Sequence, residues 1–378
     1  MRPEILNLAA THFYNLCQDL KSQKAFSDAR KNLFRREMVK MSEHLISHDF
    51  MAISPADMDL FQFVLKLFMP WAQALDSRNY YTLSHEMRVV MDNLCSKWVD
   101  DYDKFLFAAT DGSFAIEYYK ASWGMFIDAI NRIFQVSFAH QLFIFKVPKH
   151  LYDDFLFIGS IYHEMGHFVE NYYNMSDRIA QKMIDRLNKG HDVDKIKMEF
   201  YPIIKETYDK NGDCINEPLR QKMIEKQTAE YIADVFGTQY LGEHIWNHIE
   251  YVAHGIYDHY DNEHPSPICR KNLELAFLND VQGNFLLDDI KEEFIATGRP
   301  LQKRFVILAD ASTLMKGHAV KIINDDELHS LIKLGWEIYL KGPSTYDKEN
   351  GNTGKPTSRE EFYIILNNAI RQSIANYI

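Results

Sequence analysis

The chain has 378 residues, with 42 Lys or Arg against 53 Asp or Glu, a formal net charge of −11 with His neutral. Hydrophobic residues make up 46% and aromatics 13%, which is enough for a sizeable core and excludes a wholly disordered chain. An acidic balance with no cluster of Lys and Arg excludes nucleic acid as the main partner, because phosphate binding needs concentrated positive charge.

The N-terminal stretch MRPEILNLAATHFYNL has no basic start, no continuous apolar middle and no small-residue cleavage site, so no export signal is expected. With 16 Gly and 11 Pro the chain is poor in breakers, and its apolar residues recur mostly at helical spacing. Residues 1–50 read as helices. A further helix is predicted over 55–78, opened by Ser54 and Pro55. Its apolar run, 61–75, is cut by Lys66 and Pro70 and falls short of the roughly 18–20 residues a membrane span needs. No membrane helix is expected. Helices are also predicted over 84–108 and 114–133. The period then changes. Residues 141–147 (QLFIFKV) are aromatic and β-branched, with Pro148 closing them, and read as a strand. Next come a helix over about 151–172 and charged helices over 175–190 and 192–208. A turn follows at Asn211-Gly212-Asp213, then a long helix from 218 to near 248. Residues 254–268 form a loop rich in His and Pro, and helix returns over 268–295. The acidic run from Asp288 to Glu293 suits a solvated helix start. Residues 304–308 read as a strand or a buried helical turn, and 341–357 as a loop. Ser358-x-x-Glu361 supplies a capping box for a last helix. The four cysteines form no C-x-x-C pair and are expected to be free thiols in a reducing compartment. The expected localisation is cytoplasmic.

Chemistry concentrates in three places. The first is His163-Glu164-Met165-Gly166-His167. Two His at i and i+4 share a helix face and can converge on one ion, and Glu164, about 100° round, can address a water there. Leu151, Phe155, Ile158, Ile161, Tyr162, Met165, Phe168 and Val169 fall on one apolar arc. The opposite side is expected to be polar and open, with Gly159, Ser160 and Gly166 leaving room for an ion and a substrate.

The second is Glu230-Tyr-Ile-Ala-Asp234, in which two carboxylates four apart share one face of an otherwise apolar helix. A catalytic zinc takes three protein ligands and keeps a fourth position for water. Glu230 would be the third ligand, and Asp234 would hold the far nitrogen of a ligating His. Glu170 and Glu225 compete for the ligand role. Glu170 projects from the same helix as both His, and Glu225 has no Asp four residues on. The third is His264-Pro-Ser-Pro-Ile-Cys-Arg270, where a His and an Arg at a loop-to-helix junction could reach an anionic intermediate. His244 and His248 are also four apart. On a continuous helix His244 would lie about 21 Å beyond Glu230, so a solvated or capping role is expected for this pair. His254 and His259 precede His264 in its loop.

HEMGH, EYIAD and HPSPICR, in this order, resemble the gluzincin metallopeptidases of the CAAX-prenyl-protease, HtpX-type and Oma-type branch. The resemblance spans about 135–280, with 141–147 standing where that family has its edge strand. It implies a mainly α, α+β fold: a zincin-like core with a small sheet over 131–295, flanked by a helical region over 1–130 and a mixed or helical region over 296–378. It also implies one zinc held by His163, His167 and Glu230, with Glu164 as general base and Asp234 behind the ligands. His264 and Arg270 would sit near the active site, His264 on the oxyanion. Many relatives have membrane helices, and this chain has no such stretch. The implied reaction is peptide-bond hydrolysis on a peptide or protein lying along 141–147 as an added strand, with the flanking regions restricting access or receiving a regulatory partner.

Two other classes are weighed. A helical interaction or sensor protein with a structural or degenerate zinc site would have no use for Glu164. A di-iron carboxylate bundle would need a second Glu-x-x-His helix, and none pairs with Glu164-x-x-His167.

Overall fold

Scarcity of Gly and Pro is expressed as a mainly helical chain with one small sheet. The computed structural model describes residues 2–26, 28–76, 84–100, 104–110, 115–117, 123–148, 151–209, 214–253 and 261–377. They fall into two compact units, Met1–Leu83 with Asp100–Tyr152, and Ser84–Val99 with Asp153–Ile378. This division differs from the expected one. Residues 131–152 belong with the N-terminal helices, while 296–378 belong with the segment that carries all three motifs.

In the first unit α1 (Pro3–Ser22), α2 (Ala29–Ile46) and α3 (Pro55–Leu75) carry one apolar face each. Ser54 caps α3 by accepting from the Asp57 amide at 3.2 Å, with Pro55 in its first turn. Leu6 and Phe13, Phe34 and Met38, and Phe61 and Phe68 join Leu106, Leu142 and Ile144 of the sheet in one core. The sheet holds β1 (Phe105–Thr110), β2 (Ala115–Glu117) and β3 (Gln141–Lys146), in the order β1-β3-β2. β1 pairs parallel with β3 from Phe105↔Gln141 to Thr110↔Lys146, and α5 (Trp123–Phe134) lies in the connection between them. β2 pairs antiparallel with β3 over Ile144 to Lys146.

Two expectations are corrected here. The helices predicted over 84–108 and 114–133 are shorter, because 105–110 and 115–117 are strands. The run FLFAAT mixes aromatic strand formers with two alanines, so its period does not separate strand from helix. The strand at 141–147 exists but is central. Its N–H and C=O groups are engaged by β1 on one side and, over 144–146, by β2 on the other. Over 144–146 it offers no free edge to an added strand.

The second unit is built on α6 (Gly159–Tyr173) and α9 (Glu217–Leu241), which pack against each other. Asn174, left-handed at φ 55°, separates α6 from α7 (Met175–Asn188). The predicted helix over 192–208 is a short α8 (Val193–Lys195) running into a π-turn (Ile196–Phe200) and a 3-10 helix (Pro202–Thr207). Asn216 caps α9 by accepting from the Leu219 amide at 3.1 Å. The predicted turn at 211–213 lies outside the described residues.

α9 does not run on to 248. Gly242 ends it at φ 60°, ψ −140°, and α10 (Ile245–Ala253) starts afresh after one 3-10 turn. α11 (Pro267–Leu278) and α12 (Phe285–Ala296) follow. The acidic run lies inside α12, with only Asp288 in the first turn, and Asp289 and Glu293 are buried rather than solvated. Asp289 is ion-paired with Arg186 of α7, and Glu293 with Arg178 at 2.6 Å.

Residues 304–308 form neither strand nor helix. A short α13 (Ala311–Met315) precedes α14 (Asp325–Lys341), and part of the predicted loop at 341–357 is helical as α15 (Pro343–Glu349). The capping box of α16 (Arg359–Tyr377) is formed: the Ser358 amide donates to Glu361 at 2.8 Å, and the Glu361 amide donates to Ser358 Oγ at 3.1 Å. These C-terminal helices buttress the entry to α6. The Trp336 indole donates to the Leu156 carbonyl at 2.7 Å, and Asn367 accepts from the Phe155 amide at 2.8 Å.

All four cysteines are free thiols, Cys17 and Cys95 buried. Among the described residues no helix is long and apolar enough to cross a membrane.

Candidate metal centre

α6 is buried almost all round, against the expectation of one open polar side. The small residues expected to leave space are used for packing. A methyl group on Gly166 would lie 2.5 Å from Ala233 Cα and 3.0 Å from Phe236 Cβ, so α6 and α9 touch backbone to backbone at this point. Within one turn of that contact on each helix stand the polar side chains of the two motifs.

His163, His167 and Glu230 meet there, with one ligand atom from each within 4.8 Å of the others. His163 Nε2 and His167 Nε2 are 3.0 Å apart, His167 Nε2 and Glu230 Oε1 3.1 Å, and His163 Nε2 and Glu230 Oε2 3.5 Å. Donor atoms bound to a tetrahedral zinc lie about 3.3–3.5 Å from one another, so the three side chains stand close to the spacing such an ion needs. Glu170 and Glu225 are not members of the cluster.

Asp234 accepts from His163 Nδ1 at 2.9 Å. The proton is thereby placed on Nδ1, and the Nε2 lone pair faces the cluster. Arg270 closes the network from behind. Its Nε donates to Asp234 Oδ2 at 2.6 Å, its Nη2 to Asp234 Oδ1 at 2.7 Å, and its Nη1 lies 3.3 Å from Glu230 Oε2. This corrects the expectation that Arg270 reaches a reacting group. The guanidinium is buried and committed to the two carboxylates, which it holds in place.

The electrostatics favour positive charge at this point. Burial alone would lower the His163 pKa, yet the hydrogen bonds and charges of Asp234 and Glu230 carry it up to about 10. Burial would raise Glu230, but the charges of His167 and Arg270 hold it well below the usual carboxylate range. A divalent cation would meet the demand for positive charge that these carboxylates create.

Glu164 is half-buried beside the cluster, and its charge acts on His167. His264 lies on the exposed side, its Nε2 3.9 Å from Glu230 Oε1 and its side chain 54% exposed. Asp261 fixes it, accepting from the His264 amide at 2.7 Å and lying 3.1 Å from its Nδ1. Gln227 of α9 ties this loop down, donating to the Asp261 carbonyl at 2.7 Å.

His248 overturns its predicted solvated role. The break at Gly242 turns the chain back, and the His248 ring comes to 5.6 Å from that of His163, with Nδ1 2.7 Å from Ser160 Oγ. It is buried. Burial, followed by the positive charges of His163 and Arg270, pushes its pKa down to about 3, so its ring is neutral. Its partner in the predicted pair, His244, is also buried rather than solvated. Spacing along one continuous helix concealed both. The only sequence signal was Gly242, a C-terminal helix stop 12 residues after Glu230. His254 and His259 lie outside the described residues.

Compared with protein families, curated proteins and solved structures, the chain shows no significant match.

Proposed function

We propose that this chain is a zinc-dependent endopeptidase of the gluzincin kind, acting in the cytoplasm on a peptide or protein substrate. The observation that carries this reading is the convergence of His163, His167 and Glu230 from two helices at zinc-ligand separations, with Glu164 beside them. A bound zinc would supply Lewis acidity, polarising a peptide carbonyl and making water a competent nucleophile at neutral pH. Asp234 keeps the His163 tautomer and ring orientation, and Arg270 keeps Glu230 and Asp234 ionised and aligned. Glu164 takes the proton of the attacking water and returns it to the leaving amine. His264, exposed and held at Nδ1 by Asp261, would donate to a developing oxyanion from Nε2 only when its ring carries both protons. The extended substrate does not add along 144–146 of β3, which are paired on both sides.

The test combines metal analysis with hydrolysis of a quenched fluorescent peptide library. Wild type is expected to hold one zinc, and His163→Ala and Glu230→Ala to lose it. Glu164→Gln should keep zinc and fold while its rate falls about 10²–10⁴-fold. Substoichiometric zinc in wild type would overturn the proposal. A Glu164→Gln variant indistinguishable from wild type in every assay would replace it with the structural-zinc interaction module.

A further inference from the structure

α1 and α2 pack against each other, and a pocket of about 240 Å³ lies between them, lined by Lys21, Arg35, Arg36, Val39, Lys40 and Glu43. The sequence spreads these cations from Lys21 to Lys40, and only the packing of the two helices gathers them into one wall. The acids at this wall are already matched. Glu43 lies 3.3 Å from Lys21 Nζ. Glu37, which is buried, lies 2.7 Å from Lys40 Nζ and accepts from the Ser137 amide at 2.8 Å. No carboxylate among the described residues forms an ion pair with Arg35 or Arg36.

Neutral groups hold Arg35 in position. Its Nη1 donates to the Gln23 and Lys24 carbonyls at 3.3 and 3.1 Å, and its Nη2 to Asn32 Oδ1 at 3.3 Å. Its guanidinium lies 5.2 Å from the Phe26 ring centroid. The two carbonyls follow the end of α1, so the partial negative charge of that helix end is screened from the pocket. Three of the five N–H groups are used in this way, which leaves two to give. Burial lowers the Arg35 pKa with no carboxylate acting to raise it, as for a guanidinium that lacks a counter-ion. Arg36 is exposed on the same wall. The pair presents a positive charge of about two, and its mutual repulsion is relieved by an anion. A phosphate monoester carries about −1.5 to −2 near pH 7 and offers three acceptor oxygens, whereas one carboxylate meets only half of that charge. Val39 and the methylenes of Lys21 and Lys40 supply the apolar part of the wall. The volume is below the range of about 300–1,000 Å³ usual for drug-sized ligands, which limits the occupant to a short carbon chain.

We propose that this pocket binds a small phosphate monoester, with its phosphate on Arg35 and Arg36 and its carbon chain against Val39 and the lysine methylenes. The pocket lies within the first unit and shares no residue with the candidate metal centre, so the proposal holds whether or not the chain is a peptidase.

The test is calorimetric titration of the full-length protein at low, fixed ionic strength with butyl phosphate, inorganic phosphate and butyrate. Butyl phosphate is expected to bind saturably at one site, more tightly than inorganic phosphate, and butyrate not to bind. Arg36→Gln should weaken butyl phosphate about tenfold, the loss of one charge-assisted pair. Glu43→Gln removes the acid from the wall and frees Lys21, so it should tighten binding about two- to threefold. Arg36 and Glu43 are both exposed, so both variants should fold; Arg35, which ties α1 to α2, is left intact. No saturable binding of butyl phosphate, inorganic phosphate or butyrate binding as tightly as the ester, unchanged affinity in Arg36→Gln, or weaker binding in Glu43→Gln would each overturn the proposal.

Discussion

Gly166 of α6 and Ala233 of α9 meet so closely that a methyl group on the first would sit 2.5 Å from the Cα and 2.9 Å from the carbonyl oxygen of the second. The Gly in HEMGH and the Ala in EYIAD are thus what lets the two helices cross tightly enough for Glu230 to meet both imidazoles. Gly166→Ala would gain about 1 kcal/mol of helix propensity. It would also force two backbones apart, and overpacking of this kind costs about 1–3 kcal/mol or more. We expect a net loss of stability in denaturant unfolding and weaker zinc binding by chelator competition. A variant as stable as wild type would show that this crossing is looser than described.

Asp234 is expected to matter for the metal rather than for the fold alone. Asp234→Asn keeps the size of the side chain but removes the charge that His163 Nδ1 and Arg270 both face. Loss of such a partner typically lowers metal affinity about 10–100-fold. Competition with a chromophoric chelator measures this directly. Unchanged affinity would reduce Asp234 to a counter-ion for Arg270.

Much of the candidate metal centre was legible because its parts are local. Helical spacing alone puts His163 with His167 and Glu230 with Asp234, and the capping signals at Ser54 and Ser358 are formed as read. What was not legible depends on packing between segments distant in sequence. Nothing in the sequence distinguishes an Arg that reaches a ligand from one that holds Asp234. The small residues around the His pair read as space but are filled by α9. The edge position of β3 came only with the family resemblance, and its partner β1, with two alanines in a six-residue run, carries no clear period of its own. His248 was lost because a helix pattern continues across Gly242 while the backbone does not.

That break gives a prediction of its own. Gly242 sits at φ 60°, ψ −140°, where a side chain is strained, and an added Cβ would come to 3.2 Å from Lys333 Cε. Gly242→Ala should destabilise by about 1–3 kcal/mol, whereas in a continuous helix it would stabilise by up to about 1 kcal/mol. The sign of the change in unfolding free energy therefore decides between a turned and a straight chain, and with it whether His248 can approach His163.

His329 should make the second unit sensitive to acid. Its ring is fully buried, with Nδ1 2.7 Å from the Tyr162 hydroxyl and Nε2 3.0 Å from Asn93 Oδ1. The hydroxyl donates to one nitrogen and the other donates to the amide oxygen, a pattern complete only for the neutral ring. Burial, then the charge of Lys97, pushes its pKa from 6.5 down to about 3. Above pH 6.5 the ring is neutral folded or unfolded, and its contribution is fully present. As pH falls from 6.5 toward 3 only the unfolded chain gains the proton, so stability drops by about 1.4 kcal/mol per pH unit from this residue. His329→Gln retains hydrogen-bonding capacity and cannot titrate. Urea unfolding of both proteins between pH 7 and 5 should show the variant with the shallower dependence by about one proton. Equal slopes would mean that His329 is accessible to protons in the folded chain.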